Sequence, residues 1–228
     1  EKSRIRQEFA QGKVGRETLL EAEAASYHAP GTCTFYGTAN SNQMVMEMVG
    51  LHLPGAAFVP PAADLREALT KAATKKAAEI SIAGDYLPVG EMIDERSIVN
   101  AVVGLMATGG STNLVLHLAS FAASAGIILT PQDMADISAV TPLLCKIYPN
   151  SPADVNHFHA AGGMGFLIRE LIAGGFVHAD ARTINGTLQD QMYEPFLLEA
   201  GELEWRPPAE ISGDLNILRP VSDPFDKE

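Results

Sequence analysis

Cys33 is one of two cysteines in this 228-residue sequence, and it lies in a Gly/Thr-rich loop between Gly31 and Gly37. The segment that follows, "TANSNQMVMEMV", has apolar residues at helical spacing. A helix N-terminus favours the thiolate, which is the form of cysteine that attacks substrates or binds iron and zinc. A buried, unreactive thiol is the simpler interpretation of a single cysteine. The residue types therefore leave three roles open for Cys33: core thiol, nucleophile or metal ligand.

The stretch "TGGSTN", residues 108–113, joins two glycines to three small polar residues at a predicted helix start. Backbone N–H groups, the side chains of Ser111, Thr112 and Asn113, and the helix dipole suit a phosphate or a carboxylate. The stretch lacks the Gly-Lys-Ser/Thr of a Walker motif. An ordinary capped helix start explains the same residues, so the pattern is typical of an anion site and of a helix cap alike.

A third polar cluster lies at residues 154–159, where Asp154, Asn156, His157 and His159 precede two glycines. Such side chains are able to contact a polyhydroxy substrate or orient a metal ligand. A capped helix start with exposed histidines is the alternative, and the pattern slightly favours it.

These candidate residues lie at the ends of predicted helices and strands. Apolar spacing and cap residues predict helices over residues 15–28, 38–53, 64–84, 94–108, 111–126, 131–140 and 160–173. The β-branched run 127–130 and the apolar run 141–148, which contains Cys145 as a core thiol, are predicted as buried strands. Short strands alternating with helices indicate an α/β fold, a helix-rich layered domain with a mainly parallel sheet.

The composition excludes several classes of protein. Hydrophobic residues make up 46% and charged residues 19% of the chain, which is typical of globular domains. A net charge of −12 without a Lys/Arg run argues against nucleic-acid binding. No apolar run reaches the roughly 20 residues of a membrane span, and the N-terminal residues lack the apolar core of a signal peptide. We therefore expect a cytoplasmic protein that binds neither nucleic acid nor membranes.

Three long stretches resemble the dihydroxyacid dehydratase / 6-phosphogluconate dehydratase family. They are "GTCTFYGTANSNQMVMEMVGLHLPG", "GLMATGGSTNLVLHLASFA" and "YPNSPADVNHFHAAGGMGFLIREL". The Phe-Tyr-Gly that ends at Gly37 and the Pro-Ala-Asp-Val-Asn-His-Phe of the third stretch are more similar to the 6-phosphogluconate dehydratase branch than to the branched-chain dehydratases. The resemblance covers nearly the whole chain.

The resemblance implies a hydro-lyase that dehydrates 6-phospho-D-gluconate to 2-keto-3-deoxy-6-phosphogluconate, a step of the Entner–Doudoroff pathway. It implies an Fe–S cluster (4Fe-4S or 2Fe-2S) held by three cysteines, a divalent cation such as Mg²⁺, and a homodimer. The cluster acts as a Lewis acid on the leaving hydroxyl while a base removes the proton α to the carboxylate. By this resemblance Cys33 is a metal ligand. The residues that we expect to bind the substrate are Ser111, Thr112, Asn113, Asp154, Asn156 and His157.

The sequence departs from the family in two ways. It has no Cys-Asp-Lys motif, which carries another cluster cysteine, and Cys145 matches no ligand position. It also has no counterpart of the C-terminal β-rich domain that carries the serine proposed as the base. We interpret residues 1–200 as the latter part of an N-terminal α/β domain and residues 201–228 as a linker, and we expect the chain alone to be inactive, with no cluster bound. The alternatives are a dehydratase of another sugar acid, a dehydratase of dihydroxy acids in branched-chain amino-acid synthesis, and a cluster-less α/β binding module.

Overall fold

The computed structural model describes residues 2–26 and 33–226. The helices in these residues are α1 (Lys2–Ala10), α2 (Arg16–Ala24), α3 (Thr38–Met48), α4 (Asp64–Glu79), α5 (Val89–Met92), α6 (Glu95–Thr108), α7 (Asn113–Ser124), α8 (Pro131–Val140), α9 (Val155–Ala160) and α10 (Gly163–Ala173). The strands are β1 (Arg182–Thr183), β2 (Gly186–Thr187), β3 (Glu194–Leu197) and β4 (Leu203–Arg206), and a 3₁₀ helix spans Leu188–Met192. None of the described helices has the length and apolar character of a membrane span.

The described residues form two compact units, and the smaller one reaches Cys33 and includes Pro60–Ala62. Its helices α1 and α2 contact each other, and Glu23 on α2 pairs with Lys2 at 2.8 Å and with Arg6 at 2.5 Å. Helix α2 confirms the helix predicted over residues 15–28, although residues 27 and 28 lie outside the described residues.

Helix α6 is the central element of the larger unit, since ten of its 14 residues are buried. It begins after Asp94, whose carboxylate accepts a hydrogen bond from the Ser97 N–H at 3.1 Å and closes a capping box. It ends at Gly109, which has a φ of 60°. Both ends of this helix are as the sequence predicted.

Helix α3 packs closely against α6 at Gly104. A Cβ atom at this position would lie 2.7 Å from Cγ of Met48 and 2.9 Å from Sδ of Met44, so only glycine permits the approach without a shift of these side chains. Both methionines are fully buried. The packing therefore explains the methionine-rich spacing of α3 as core filling.

The helix-rich α/β class is confirmed, and the structure corrects the expected parallel sheet. In residues 2–26 and 33–226, β1 pairs with β2 and β3 with β4, and both pairs are antiparallel. Residues 127–130 form no strand there, because Ile128 is 88% exposed and Thr130 caps α8 instead. The run 141–148 supplies only an isolated bridge from Cys145 to Leu218. A short apolar run by itself does not distinguish a strand from a connection between helices.

Glycine conformations explain two further differences in helix boundaries. Helix α3 ends at Met48, short of the predicted residue 53, and Gly50 follows with a φ of 78°. An additional helix, α9, precedes α10, and the two are separated at Gly162 and Gly163, which have φ values of 128° and 51°. L-residues with side chains rarely adopt these backbone angles.

Residues 201–226 contribute to the larger unit. Strand β4 pairs with β3, and Leu218 is fully buried in the main hydrophobic core. The interpretation of residues 201–228 as a linker toward a further domain stays a prediction.

Candidate functional site

The loop between α6 and α7 depends on both of its glycines. Gly109 has a left-handed φ of 60°, which favours glycine. A Cβ atom on Gly110 would lie 2.6 Å from Cδ1 of Leu105 and 3.0 Å from Oγ of Ser41. The glycine pair therefore allows the chain to turn tightly against α3 and places Ser111 beside the start of that helix.

A network of hydrogen bonds joins the starts of α3 and α7. The Ser111 N–H donates to Oγ of Ser41 at 2.9 Å, and the hydroxyls of Thr38 and Ser111 lie 3.1 Å apart. Nδ2 of Asn113 donates to Oγ1 of Thr38 at 2.7 Å. Four polar side chains, from α3, α7 and the loop before α7, thus meet at one point.

A cavity of about 380 Å³ opens at this point, and we call it the serine cavity. Residues 35–38, 109–113 and 149–150 line it, and none of their side chains carries a formal charge. The first N–H groups of a helix have no partners within the helix, and the dipole adds partial positive charge there. The serine cavity therefore suits carboxylate, phosphate or hydroxyl oxygens through hydrogen bonds rather than ion pairs.

The structure distinguishes two roles within the predicted anion site. Oγ of Ser111 accepts a hydrogen bond from the Asn113 N–H at 3.3 Å, so Ser111 has part of the cap function. Thr112 precedes α7, but its side chain forms no cap hydrogen bond and is exposed. The Thr112 hydroxyl is therefore available to a bound molecule.

Cys33 precedes the serine cavity in sequence, two residues before Phe35, the first residue of its lining. Its side chain is exposed, which contradicts the interpretation of Cys33 as a buried core thiol. The loop before it, residues 27–32, lies outside the described residues.

The Asp154 cluster forms a helix cap. Oδ1 of Asp154 accepts the N–H groups of Asn156 at 3.0 Å and His157 at 3.3 Å, and it lies 2.8 Å from Nδ1 of His157. Asp154 is nearly buried, whereas the His157 side chain is more than half exposed. None of these three residues lines the serine cavity. The geometry therefore supports the structural alternative for Asp154 and His157.

Sequence reasoning missed two polar residues of the serine cavity. Asn150, from the third family-like stretch, lines the cavity, and its Nδ2 donates to the carbonyl of Gly109 at 3.2 Å. Thr38 begins the stretch that predicted α3, and it contacts both Ser111 and Asn113. Both residues belong to stretches with recognisable sequence patterns. Their place in the cavity depends on contacts between residues that are far apart in the chain, which the sequence does not show.

Tyr36 holds one wall of the serine cavity in place through two hydrogen bonds. Its hydroxyl donates to Oγ1 of Thr108 at 2.8 Å, and its N–H donates to the carbonyl of Tyr148 at 3.0 Å. Burial raises the pKa of Tyr36, so the phenol stays neutral and serves as a donor. Tyr36 therefore joins the segment before α3 to the end of α6 and to the segment at residue 148.

A buried glutamate, Glu47, and a partly buried one, Glu194, lie away from the serine cavity and were not expected from the sequence. Glu47 on α3 accepts the N–H groups of Gly55 at 2.7 Å and Ala57 at 2.8 Å. Burial and, to a lesser extent, the nearby Glu194 carboxyl raise its pKa to about 8, although these hydrogen bonds and Arg66 act to lower it. Burial raises the pKa of Glu194 to about 7, and Glu194 accepts the Gly165 N–H at 2.9 Å. Glu47 therefore holds the loop at residues 55–57 in place, and Glu194 binds a backbone donor in the first turn of α10.

Cys145, the second cysteine, is a core residue and does not add a ligand to a site at Cys33. Cys145 is buried in the main core, and burial raises the pKa of its thiol, as the prediction of a core thiol requires. No group of three or more His, Cys, Asp or Glu side chains that could hold a metal ion exists among residues 2–26 and 33–226.

Comparison with known proteins gives consistent matches along the chain. A family model described as dihydroxy-acid/6-phosphogluconate dehydratase N-terminal matches residues 1–191. The phosphogluconate dehydratase of Rhizobium meliloti is 57% identical over 227 residues, 99% of this chain and 38% of that protein. The phosphogluconate dehydratase of Zymomonas mobilis is 55% identical over 230 residues, 100% of this chain and 38% of that protein. The dihydroxy-acid dehydratase of Roseiflexus is 35% identical over 213 residues, 92% of this chain and 38% of that protein. The chain thus spans about 38% of the length of these relatives.

Proposed function

Because the chain belongs to the dihydroxy-acid/6-phosphogluconate dehydratase family, we propose that the complete protein is a hydro-lyase of the Entner–Doudoroff pathway. Its substrate is 6-phospho-D-gluconate and its product is 2-keto-3-deoxy-6-phosphogluconate. The observation that carries this proposal is the 57% identity to a phosphogluconate dehydratase across nearly the whole chain. Identity to the dihydroxy-acid dehydratase of Roseiflexus is lower, at 35%, which favours the phosphorylated substrate.

The residues of this chain do not by themselves fit an Fe–S cluster. A cluster of the kind implied needs three thiolates, and the chain has two cysteines, of which Cys145 is buried in the core. Cys33 alone is exposed. We infer that Cys33 supplies one ligand and that the remaining ligands come from parts of the protein outside this chain.

The contribution of this chain to the reaction is to bind and orient the substrate. In this proposal Ser111, Thr112 and Asn113 bind substrate oxygens in the serine cavity, where a hydroxyl, an amide and a helix N-terminus point to one space. Such donors hold oxygens without charge neutralisation, which suits a substrate with many hydroxyls. Binding roles for Asp154, Asn156 and His157 stay predictions, as do Mg²⁺, the homodimer and the cytoplasmic location.

Substrate comparison tests the proposed reaction. The complete protein, purified without oxygen, is assayed with 6-phosphogluconate, gluconate and 2,3-dihydroxyisovalerate, and formation of the 2-keto acid is followed. We expect turnover of 6-phosphogluconate with a kcat/KM at least about a hundredfold above that of the other two compounds. A preference for 2,3-dihydroxyisovalerate would contradict the proposal.

Substitutions in the serine cavity test the binding role. Ser111→Ala and Thr112→Val in the complete protein are expected to raise KM more than they lower kcat, because each removes a hydrogen bond to the bound substrate. Ser120→Ala on the exposed side of α7 is the matched control. An unchanged KM in both cavity variants would leave this loop with a structural role only.

Cys33→Ser tests the ligand assignment. We expect the variant to lose the visible absorbance of the cluster and the activity together, whereas Cys145→Ala retains both. Normal iron content in Cys33→Ser would remove Cys33 from the set of ligands.

A further inference from the structure

A second cavity, of about 580 Å³, lies between α4 and the residues that follow α3, and we call it the arginine cavity. Much of its lining is apolar and includes Leu51, Leu53 and Ile80. It shares no lining residue with the serine cavity. It is therefore a separate space, and neither the proposed reaction nor the family resemblance assigns a role to it.

The charge of the arginine cavity is opposite to that of the chain. Lys and Arg number 16 in the chain against 28 Asp and Glu, yet the lining contains Arg66, Lys76 and His52 and no carboxylate. Lys76 lies 3.6 Å from a carboxylate oxygen of Glu79, so it has a partial counter-charge. Arg66 has no such partner in an ion pair within the described part of the chain, and the Glu47 carboxyl that acts on it electrostatically has a pKa of about 8 and so keeps its proton at neutral pH.

Arg66 forms no ion pair within residues 2–26 and 33–226. Its Nε donates to the carbonyl of Val59 at 3.3 Å, and its Nη2 donates to the carbonyls of Val59 and Ala56. Its Nη1 has no hydrogen-bond partner among these residues. Burial lowers the pKa of Arg66, because a partly desolvated guanidinium is costly without an anion.

His52 supplies a second, independent indication of a ligand. Its Nδ1 is buried and lacks a hydrogen-bond partner among the described residues, and His52 is one of the residues that line the arginine cavity. Its backbone carbonyl accepts Nε2 of Gln191 at 3.0 Å, which fixes the position of the residue. A buried polar atom that lacks a partner destabilises the protein, and an occupant with a hydrogen-bonding group that reached it would remove this cost.

We propose that the arginine cavity binds a small aliphatic carboxylate, with the carboxylate at Arg66 and the hydrocarbon chain along α4. A guanidinium without an ion pair and an apolar lining together select a molecule with one charged end and one apolar end. The polyhydroxylated substrate of the proposed reaction lacks such an apolar end. The proposal is therefore independent of the reaction assigned above.

Calorimetric titration of the complete protein with hexanoate tests this proposal. We expect saturable binding at one site per chain, with hexan-1-ol and inorganic phosphate each at least tenfold weaker because each lacks one of the two ends. Arg66→Gln is expected to weaken hexanoate by about tenfold to a hundredfold, the effect of one charge-assisted hydrogen bond. Since Arg66 also holds the loop at residues 56–59, a second variant is needed.

Ala77→Phe is that second variant, because Ala77 is exposed on α4 and lines the arginine cavity. The larger side chain fills the space, so we expect hexanoate affinity to fall by at least tenfold. Ala78→Phe, which is exposed on the same helix and does not line this cavity, is the matched control and should bind as the parent does. Equal affinity in the parent and Ala77→Phe, or hexan-1-ol binding as tightly as hexanoate, would overturn the proposal.

Discussion

Glu47 makes a testable contribution to the pH dependence of stability. Its carboxyl is fully buried on α3 and accepts the N–H groups of Gly55 and Ala57. Burial, the largest cause, raises its pKa from the ordinary value of 4.5 to about 8. The folded chain therefore binds a proton at Glu47 over a range of pH in which the unfolded chain has released it.

The sign and size of the effect follow from this difference. Because the pKa in the folded chain is higher, the stabilisation is fully present below about pH 4.5 and is lost as the pH rises through about 8. A pKa change of this size corresponds to roughly 5 kcal/mol, which we treat as an upper limit. Unfolding free energy should thus fall between pH 5 and pH 9 by several kcal/mol through this residue.

Glu47→Gln removes the titrating proton but keeps the shape of the side chain. At pH 5 the variant should be less stable than the parent by about 1–3 kcal/mol, because the amide NH₂ now faces one of the two backbone donors. At pH 9 this deficit should vanish or reverse, since only the parent carries a buried charge.

Urea unfolding of the chain, followed by circular dichroism at pH 5, 7 and 9, measures the difference. Glu202→Gln, in the exposed turn between β3 and β4, is the matched control and should show the same profile as the parent. Glu194 is present in all three proteins, so its titration cancels in the comparison except for its electrostatic coupling to Glu47. A difference between parent and Glu47→Gln that stays constant from pH 5 to pH 9 would refute the reasoning.

Three further predictions concern stability and are tested by urea unfolding of single-substitution variants. Gly110→Ala should cost about 1–3 kcal/mol, because the added methyl group would lie 2.6 Å from Cδ1 of Leu105; unchanged stability would mean that the loop has room. Asp154→Ala should cost about 0.5–2 kcal/mol through loss of the helix cap, whereas Asn156→Ala should change stability by less than about 0.5 kcal/mol; equal effects would contradict the cap. Tyr36→Phe should cost about 1 kcal/mol through its buried hydrogen bond, and a neutral result would show that this bond contributes no net stability.

Local signals in the sequence were sufficient to predict the helices whose ends are marked by capping residues. Asp94 and Gly109 mark the ends of α6, and Thr130 with Pro131 marks the start of α8. Each of these residues acts on backbone groups within three or four positions. All the interacting partners therefore lie within one short stretch of the sequence.

Features that depend on distant contacts were not predictable in the same way. Glu47 lies in the run "MVMEM" and has no local sign of burial, since its partners Gly55 and Ala57 follow after the helix has ended. Thr38 and Ser111 are 73 residues apart, and their contact requires α3 and α6 to be packed first. The parallel sheet was expected from short apolar runs, whose pairing partners a sequence alone does not show.

The neutral lining of the serine cavity has a consequence for binding in solution. Mobile ions screen the attraction between formal charges, whereas hydrogen bonds at short range within a partly enclosed space are much less affected. Under the proposed binding role of the serine cavity, the share of substrate affinity that comes from residues 35–38 and 109–113 should therefore hardly change with ionic strength. This part of the binding affinity would persist in a cell whose salt content fluctuates. Any salt sensitivity of the complete protein would then originate elsewhere in its structure.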